Sequence, residues 1–350
     1  VYVPYHFLQS VVTKLTGAAI IGLSACFYIN GSMSVLYAVG MSIAAFMLYG
    51  SLETMGTFSS LIHVVSVCVD KANAVLGLDT MDIDGKELNP ENHDIEVKNI
   101  EFSYDKRKII DGISLSIPEK TTTAIVGPSG GGKTTLCNLI ARFWDVDSGE
   151  ITLGGTNVKD YSMNSLMNNF SFVFQNVYLF ADTIENNIKF GRPEATHEEV
   201  VEAAKKACCH DFISKLPDGY NTLIGEGGAT LSGGEKQRIS IARAIMKDSP
   251  IIILDEATAN VDPENEKELT LAVDALTKEK TIIMIAHRLK TVRHADQIVV
   301  VDQGRIAQKG THEKLMKQDG IYRRFVDSRE LAVSWKIKNL SCIKQKTGVR

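Results

Sequence analysis

The chain has 350 residues, of which 44% are hydrophobic and 23% are charged, and its formal net charge is −4 at pH 7. This length allows one soluble domain of ordinary size and a smaller second part, and the charge argues against nucleic acid as a partner. The six cysteines form no C-x-x-C pair and have no histidine at metal-ligand spacing, which indicates reduced thiols rather than disulfides or a zinc site.

The least polar part of the chain lies near its start. From Leu15 to Leu52 there is no charged residue, and this run is about twice the ~20 residues that a helix needs to cross a bilayer. A turn signal, Asn30–Ser32, divides the run, so the pattern predicts a hairpin of two membrane helices, about 10–29 and 33–52. The alternative is a helix pair buried in a soluble core, but such helices normally show a polar face and these do not.

Charges at the ends of the hairpin predict its orientation. Lys14 precedes it, Glu53 and Lys71 follow it, and the turn has neither Lys nor Arg. The positive-inside rule then places both ends in the cytosol, with the hairpin in a lipid bilayer that we take to be the plasma membrane. Because the chain begins with Val1 and shows no signal peptide, we interpret it as a fragment or a processed product.

Composition changes divide the chain into four parts. Residues 1–78 are the partial membrane domain with a helical, more polar extension, and the acidic stretch 79–93, with Gly and Pro, predicts a linker. Residues 94–329 have the pattern of an α/β domain, and the basic tail, 330–350, has no assignment.

Two kinds of strand are predicted in the α/β domain. Ile95–Phe102 and Ile113–Ile117 alternate between apolar and polar residues, as antiparallel strands do. Continuous apolar runs predict strands buried on both faces of a parallel sheet. These runs are Thr122–Val126, Ile251–Leu254 and Thr281–Ile285.

A glycine-rich segment, Gly127–Thr135, matches the nucleotide-binding pattern G-x-x-x-x-G-K-[ST]. It follows a predicted strand and precedes the helical run Leu136–Phe143, so backbone N–H groups and a helix N-terminus can surround phosphate oxygens. Lys133 is expected to reach the β- and γ-phosphates of ATP, and the Thr134 hydroxyl to bind Mg²⁺. The other residues of this P-loop are Gly127, Ser129, Gly130, Gly131, Gly132 and Thr135.

The apolar strand Ile251–Leu254 ends in two acidic residues, Asp255 and Glu256. A carboxylate at the end of such a strand lies beside the metal in P-loop enzymes, so Asp255 is expected to bind Mg²⁺. Glu256 is placed to polarise an attacking water. The alternative is a pair of solvated surface charges, against which the P-loop argues.

A third segment, Leu231–Arg238, reads Leu-Ser-Gly-Gly-Glu-Lys-Gln-Arg and resembles the signature motif of the ABC family. The resemblance implies an α/β P-loop ABC ATPase domain with a mixed sheet and a helical subdomain. It also implies that the start of the helical stretch 235–246 binds the γ-phosphate of ATP on a second domain. The residues concerned are Ser232, Gly233, Gly234 and Glu235, and the implied partner is a second ABC half-transporter, in a homodimer or a heterodimer.

Four further residues match family positions in order. Tyr104 matches the aromatic residue that stacks on adenine, although it could instead be packed in a core. Gln175 matches the glutamine that senses Mg²⁺ and the attacking water, and Asp262 lies in the loop that crosses the dimer interface. His287 matches the histidine that holds the γ-phosphate, although a lone histidine is usually structural. The resemblance therefore implies a catalytic set of Glu256, His287 and Gln175, with Mg²⁺ at Thr134, Gln175 and Asp255.

Two features resemble members of the family with the exporter fold. One is the short loop Ile224–Gly228 before the signature; the other is the membrane hairpin, which is similar to the fifth and sixth of six helices in a half-transporter. The predicted function is ATP hydrolysis that moves an unknown substrate across the membrane, through contacts around Tyr178–Phe180. Two alternatives remain: a truncated remnant that does not transport, and a soluble ABC ATPase of DNA repair or translation, which would lack the hairpin.

Overall fold

The computed structural model describes residues 2–78, 81, 83–225, 231–255, 263–286 and 292–328. It divides into two compact units, Val1–Thr80 and Met81–Arg350. The first consists of two helices, α1 (Tyr2–Ile29) and α2 (Val35–Leu76), which pack against each other. Gly31, with a φ of 71°, forms the turn between them. Ser34 caps α2 by accepting a hydrogen bond from the Tyr37 N–H.

Both helices are long and apolar enough to cross a membrane, by length and composition. They expose large apolar side chains along their length, among them Leu15, Phe46 and Ile62. Several of their Ser and Thr hydroxyl groups bond within the helix, as in the 2.8 Å bond from the Ser24 Oγ to the Ile20 carbonyl oxygen. The second helix continues without interruption through 42 residues, so it includes both the expected span 33–52 and most of the helical extension expected after it.

The second unit is built around a six-stranded sheet. In their order across the sheet, its strands are β12 (Arg305–Gly310), β11 (Gln297–Asp302), β3 (Thr122–Val126), β10 (Thr281–Ile285), β9 (Ile251–Asp255) and β6 (Phe170–Val173). All neighbours pair in parallel except β11 and β12, which are antiparallel, so the sheet is mixed as predicted. The three strands predicted from continuous apolar runs are β3, β10 and β9, which are adjacent.

These central strands are apolar throughout because they separate two hydrophobic cores. Along β3, Ile125 faces one core, whereas Ala124 and Val126 face the other. The first core is closed by an antiparallel sheet. Its strands lie in the order β2 (Arg107–Ile117), β1 (Ile95–Tyr104), β4 (Ser148–Leu153) and β5 (Thr156–Asn157). A separate two-stranded sheet pairs β7 (Asp182–Thr183) with β8 (Leu223–Ile224).

Helices close the second core. They include α5 (Ile184–Lys189), α6 (His197–Lys206), α7 (His210–Ile213), α8 (Gly233–Lys247) and α9 (Pro263–Thr277). Further helices among the described residues of the unit include α3 (Lys133–Ile140), α4 (Met163–Asn168), α10 (His312–Met316) and a helical stretch at 321–328. A mixed sheet with a helical layer is the arrangement that the signature motif implied.

The helix after the glycine-rich segment is displaced from its predicted range, Leu136–Phe143. It begins at Lys133 and ends at Ile140. The cause of the early end is Arg142, which takes a left-handed φ of 56° that a helix cannot accommodate. The guanidinium of Arg142 is buried and donates to the carbonyl oxygens of Val158 and Tyr161.

Part of the stretch predicted to be a linker lies against the α/β unit. The Lys86 N–H donates to the Asp160 carbonyl at 2.8 Å, and the Ser162 N–H donates to the Lys86 carbonyl at 2.7 Å. The Leu88 N–H donates to the Ser165 hydroxyl at 3.0 Å. Residues 86–88 are thus held along the segment that Arg142 also holds.

Candidate functional site

The P-loop lies between β3 and α3 and depends on glycine for its shape. Gly127, Gly130 and Gly132 have φ values of 144°, 77° and 103°, in the region that favours glycine. A Cβ on Gly127 would collide with the carbonyl oxygen of Val301, and one on Gly131 would lie 2.9 Å from the same oxygen. The loop therefore requires glycines both for its turns and for close approach to β11.

Lys133 begins α3 and folds back into the loop. Its side chain is only 7% exposed, and Nζ donates to the carbonyl oxygens of Gly127 at 3.1 Å and Pro128 at 2.8 Å. Ser129, Gly130 and Thr134 are exposed, whereas Thr135 is buried. An ammonium group beside a glycine-rich turn and a helix N-terminus forms a site for anions such as phosphate.

Parallel pairing brings two further predicted residues to the same edge of the sheet. Ile285 pairs with Ile125 in β3 and with Asp255 in β9, so Asp255 ends its strand two residues below the level of Gly127. In β6, Val173 pairs with Leu254, and the exposed Gln175 follows two residues later. The carboxyl ends of parallel strands form the ligand-binding edge of such sheets.

The charge of Asp255 acts on the P-loop helix. Burial raises the pKa of the Cys137 thiol, and the negative charge of Asp255 raises that pKa further. Because Cys137 lies one turn after Lys133 on α3, Asp255 lies near the first turns of that helix. Thr134 and Asp255 supply the oxygen ligands that Mg²⁺ prefers when it also binds nucleotide phosphates, so their chemistry fits that ion. Within the described ranges there is no cluster of three His, Cys, Asp or Glu side chains that would form another metal site.

Tyr104 lies at the end of β1, in the antiparallel sheet, and 37% of it is exposed. Its ring contacts that of Phe102 at a centroid distance of 4.8 Å and that of Trp144 at 5.5 Å. Phe102 pairs with Ile110, whose side chain lies 3.0 Å from the Cβ position of Gly132. Tyr104 is therefore partly exposed rather than packed in the core, and its strand pairs with β2, which contacts the P-loop at Gly132.

The signature residues begin α8 with a capping box. The Glu235 N–H donates to the Ser232 hydroxyl, and the Ser232 N–H donates to the Glu235 carboxylate at 2.8 Å. Ser232 and Gly233 are exposed, whereas Gly234 is buried. The described side-chain hydrogen bonds of Ser232 and Glu235 join these two residues to each other, at the start of α8.

Three predicted site residues, Glu256, Asp262 and His287, lie outside the described residues, as do residues 226–230 and the tail from 329. The strands that lead to two of them do reach the site. Strand β9 ends at Asp255, directly before Glu256. The Ala286 N–H, directly before His287, donates to the Ile125 carbonyl at 3.1 Å.

Sequence reasoning missed several residues that support the site. Gly304, in the turn between β11 and β12, donates its N–H to the Gly131 carbonyl at 3.1 Å. Gln237, on α8, donates to the Phe174 carbonyl next to Gln175. Trp144 contacts Tyr104, as described above. The sequence shows a turn signal at Gly304 and an aromatic residue at Trp144. Neither signal reveals these contacts, because they join segments far apart in the chain.

Comparison with known proteins gives consistent matches. The family model described as "ABC transporter" matches residues 110–259. An ATP-dependent lipid A-core flippase of Desulfotalea psychrophila is 42% identical over 91% of this chain and 57% of its own length. A second relative, from Staphylococcus aureus, is named as a multidrug export ATP-binding/permease protein. It is 49% identical over 68% of this chain and 41% of its own length.

The structure is also similar to a solved one. A bacterial Atm1-family ABC exporter with ATP bound superposes with a TM-score of 0.70 and 34% sequence identity. The match covers 93% of this chain and 57% of the exporter chain. The chain thus spans about half the length of the proteins that it matches.

Proposed function

We propose that this chain is an ATP-binding domain of the ABC transporter family, preceded by two long apolar helices, and that it binds and hydrolyses ATP as part of an exporter. The observation that carries the proposal is the sheet edge at which the P-loop, Asp255 and Gln175 meet. In that arrangement the P-loop binds the phosphates, and Tyr104 stacks on the adenine. Lys133 exchanges its two loop carbonyls for phosphate oxygens.

The residues at this edge have separate tasks in the proposed reaction. Thr134, Asp255 and Gln175 would hold Mg²⁺, which supplies positive charge against the β- and γ-phosphates when it is bound. Glu256 accepts a proton from the attacking water, and His287 holds the γ-phosphate. Both of these assignments depend on the family resemblance.

A second chain completes each site in this proposal. The exposed N-terminus of α8, with Ser232, Gly233 and Gly234, binds the γ-phosphate held by the P-loop of the partner, and Asp262 lies at the interface. ATP then favours the closed pair of domains, and hydrolysis allows the pair to separate.

The two apolar helices support a location in the cell membrane, with the ATPase unit in the cytoplasm. The coupling surface that we propose lies after Gln175, where Tyr178 and Phe180 are exposed. Export is the proposed direction because the matched relatives are named as a flippase and an export protein. Flotation of the full chain with liposomes tests this location, since recovery in the aqueous phase without detergent would favour a soluble ATPase of DNA repair or translation.

Hydrolysis of ATP by the full chain in liposomes tests the proposed reaction. Lys133→Ala is expected to lower the rate at least about 100-fold, because it removes a positive charge that stabilises the phosphoryl group during transfer. Lys159→Ala is the matched control, because Lys159 is an exposed lysine on another segment. Absence of hydrolysis in the unmodified chain would favour the truncated remnant, and equal rates in both variants would contradict the assignment of Lys133.

A further inference from the structure

The turn between β11 and β12 lies directly against the P-loop. The Val301 carbonyl oxygen occupies the space beside Gly127 and Gly131 that side chains would need. Three residues later, the Gly304 N–H donates to the Gly131 carbonyl at 3.1 Å. The P-loop therefore rests on backbone from a hairpin that is more than one hundred residues away in the chain.

The bond from Gly304 determines which way one carbonyl of the loop points. A carbonyl oxygen repels phosphate oxygens, so a loop binds phosphate only where its N–H groups, and not its carbonyls, face the anion. The Gly131 carbonyl is directed at Gly304. Rotation of that peptide unit would break this bond.

The surroundings of Gly304 leave no space for a side chain. Its φ is 76°, and a Cβ on it would collide with the carbonyl oxygen of Ile109 in β2. Its own carbonyl accepts a hydrogen bond from the Asp111 N–H at 2.9 Å. Gly304 is thus held between β2 on one side and the P-loop on the other.

Charged side chains tie the same turn to β2. Arg305 Nε donates to the Asp111 carboxylate at 2.8 Å, and Lys108 binds the other oxygen of that carboxylate. Hydrogen bonds from Lys108 and Arg305 hold the pKa of Asp111 below its usual range, and the charges of the two groups add to this effect. The carboxylate therefore stays ionised and keeps the turn in place at neutral pH.

We propose that Gly304 is a positioning residue of the nucleotide site, which holds the Gly131 carbonyl away from the bound phosphates while Arg305 and Asp111 hold the turn. The proposal rests on the proposed function of the P-loop. It assigns to the β11–β12 turn a part in phosphate binding, without direct contact between Gly304 and the nucleotide.

The test compares two glycines of the full chain in detergent. Gly304→Ala adds a Cβ at a φ of 76°, where the Ile109 carbonyl lies, and Gly155→Ala adds one at a φ of 80°, where nothing lies within 4 Å. Both variants carry a similar cost from the backbone conformation. Calorimetric titration with ADP and Mg²⁺ is expected to show binding weakened about tenfold or more in Gly304→Ala, as for loss of a phosphate contact, and within about twofold of the unmodified chain in Gly155→Ala.

Equal binding by Gly304→Ala and the unmodified chain would overturn the proposal, and so would equal weakening in both variants. Absence of ADP binding by the unmodified chain would instead contradict the proposed function. This measurement separates the two proposals. The positioning role of Gly304 is tested by a comparison of variants, whereas the proposed function is tested on the unmodified protein.

Arg305→Ala provides a second test if Gly304→Ala does not fold. It is expected to weaken ADP binding about two- to fivefold at low salt, a difference that disappears near 1 M NaCl because salt screens exposed ion pairs. Arg323→Ala, which removes an exposed pair with Asp319 at 3.0 Å, is the matched control and should leave binding unchanged. An Arg305→Ala chain that binds ADP as Arg323→Ala does at low salt would overturn the proposal.

Discussion

The guanidinium of Arg243 lies over the ring of Phe190, 5.6 Å from its centroid. It lies at a similar distance, 5.5 Å, from the ring of Phe180, and it donates to the carbonyl oxygens of Asn187 and Tyr178. Burial lowers the pKa of Arg243 to about 10, so the group is still charged at neutral pH. Since Arg243 is on α8, it joins the helix that begins with the signature to the proposed coupling surface.

Replacement of Arg243 by lysine is therefore expected to be damaging despite the retained charge. An ammonium group cannot reproduce the planar set of donors, and each part-buried acceptor on Asn187 that is left without a partner costs about 1–3 kcal/mol. Thermal unfolding of Arg243→Lys should occur at least about 5 °C lower, with faster amide exchange in residues 178–190. Arg192→Lys, which changes an exposed arginine paired with Glu199, is the control. Unchanged exchange in 178–190 would show that Arg243 does not hold this surface.

Glu256→Gln is expected to separate ATP binding from hydrolysis. A positioned general base contributes about 10²–10⁴-fold to a rate, so turnover should fall at least about 100-fold while ATP affinity is retained. The bound ATP should then keep two chains together. Size-exclusion chromatography and the amount of ATP that remains with the protein measure this outcome, and normal turnover would rule out Glu256 as the base.

Arg142 provides a test of how the segment that contacts residues 86–88 is held. Its buried guanidinium bonds to Asp145 and to the carbonyls of Val158 and Tyr161, and Tyr161 lies in the segment that binds Lys86. Arg142→Met should cost about 3–5 kcal/mol, because it leaves Asp145 and two carbonyls without their donor. Thermal unfolding of the full chain measures the loss. Arg192→Met, at the surface, should change stability by less than about 0.5 kcal/mol.

The elements that sequence predicted well are those whose signal is local. The apolar runs that became β3, β9 and β10 are continuous because each strand faces two cores, and the P-loop pattern includes its own strand and helix. The end of α3 was predicted too late because it depends on the left-handed conformation of Arg142, which no local signal marks. The contact between Gly304 and Gly131 was missed for a different reason, since it joins distant segments and one sequence contains no information on pairing.

The composite site predicts that two inactive chains can complete one another. A Lys133→Ala chain keeps its signature, and a Ser232→Arg chain keeps its P-loop. In a mixed dimer, the P-loop of the second chain meets the signature of the first, so one of the two sites is intact. With both changes made in the Glu256→Gln background, ATP should remain bound in the mixture but not with either variant alone. Random pairing gives about one quarter of the ATP retained by Glu256→Gln chains, since half of symmetric dimers are mixed and each has one intact site.

Retained ATP is a better measure here than turnover, because hydrolysis at one site can depend on the state of the other. The control is a mixture of the Lys133→Ala chain with a chain that carries both Lys133→Ala and Ser232→Arg, in which every P-loop is defective. That mixture should retain no ATP. If the complementary mixture retains no more ATP than this control, then the P-loop and Ser232 do not act across two chains. The exposed N-terminus of α8 would then have no part in binding ATP.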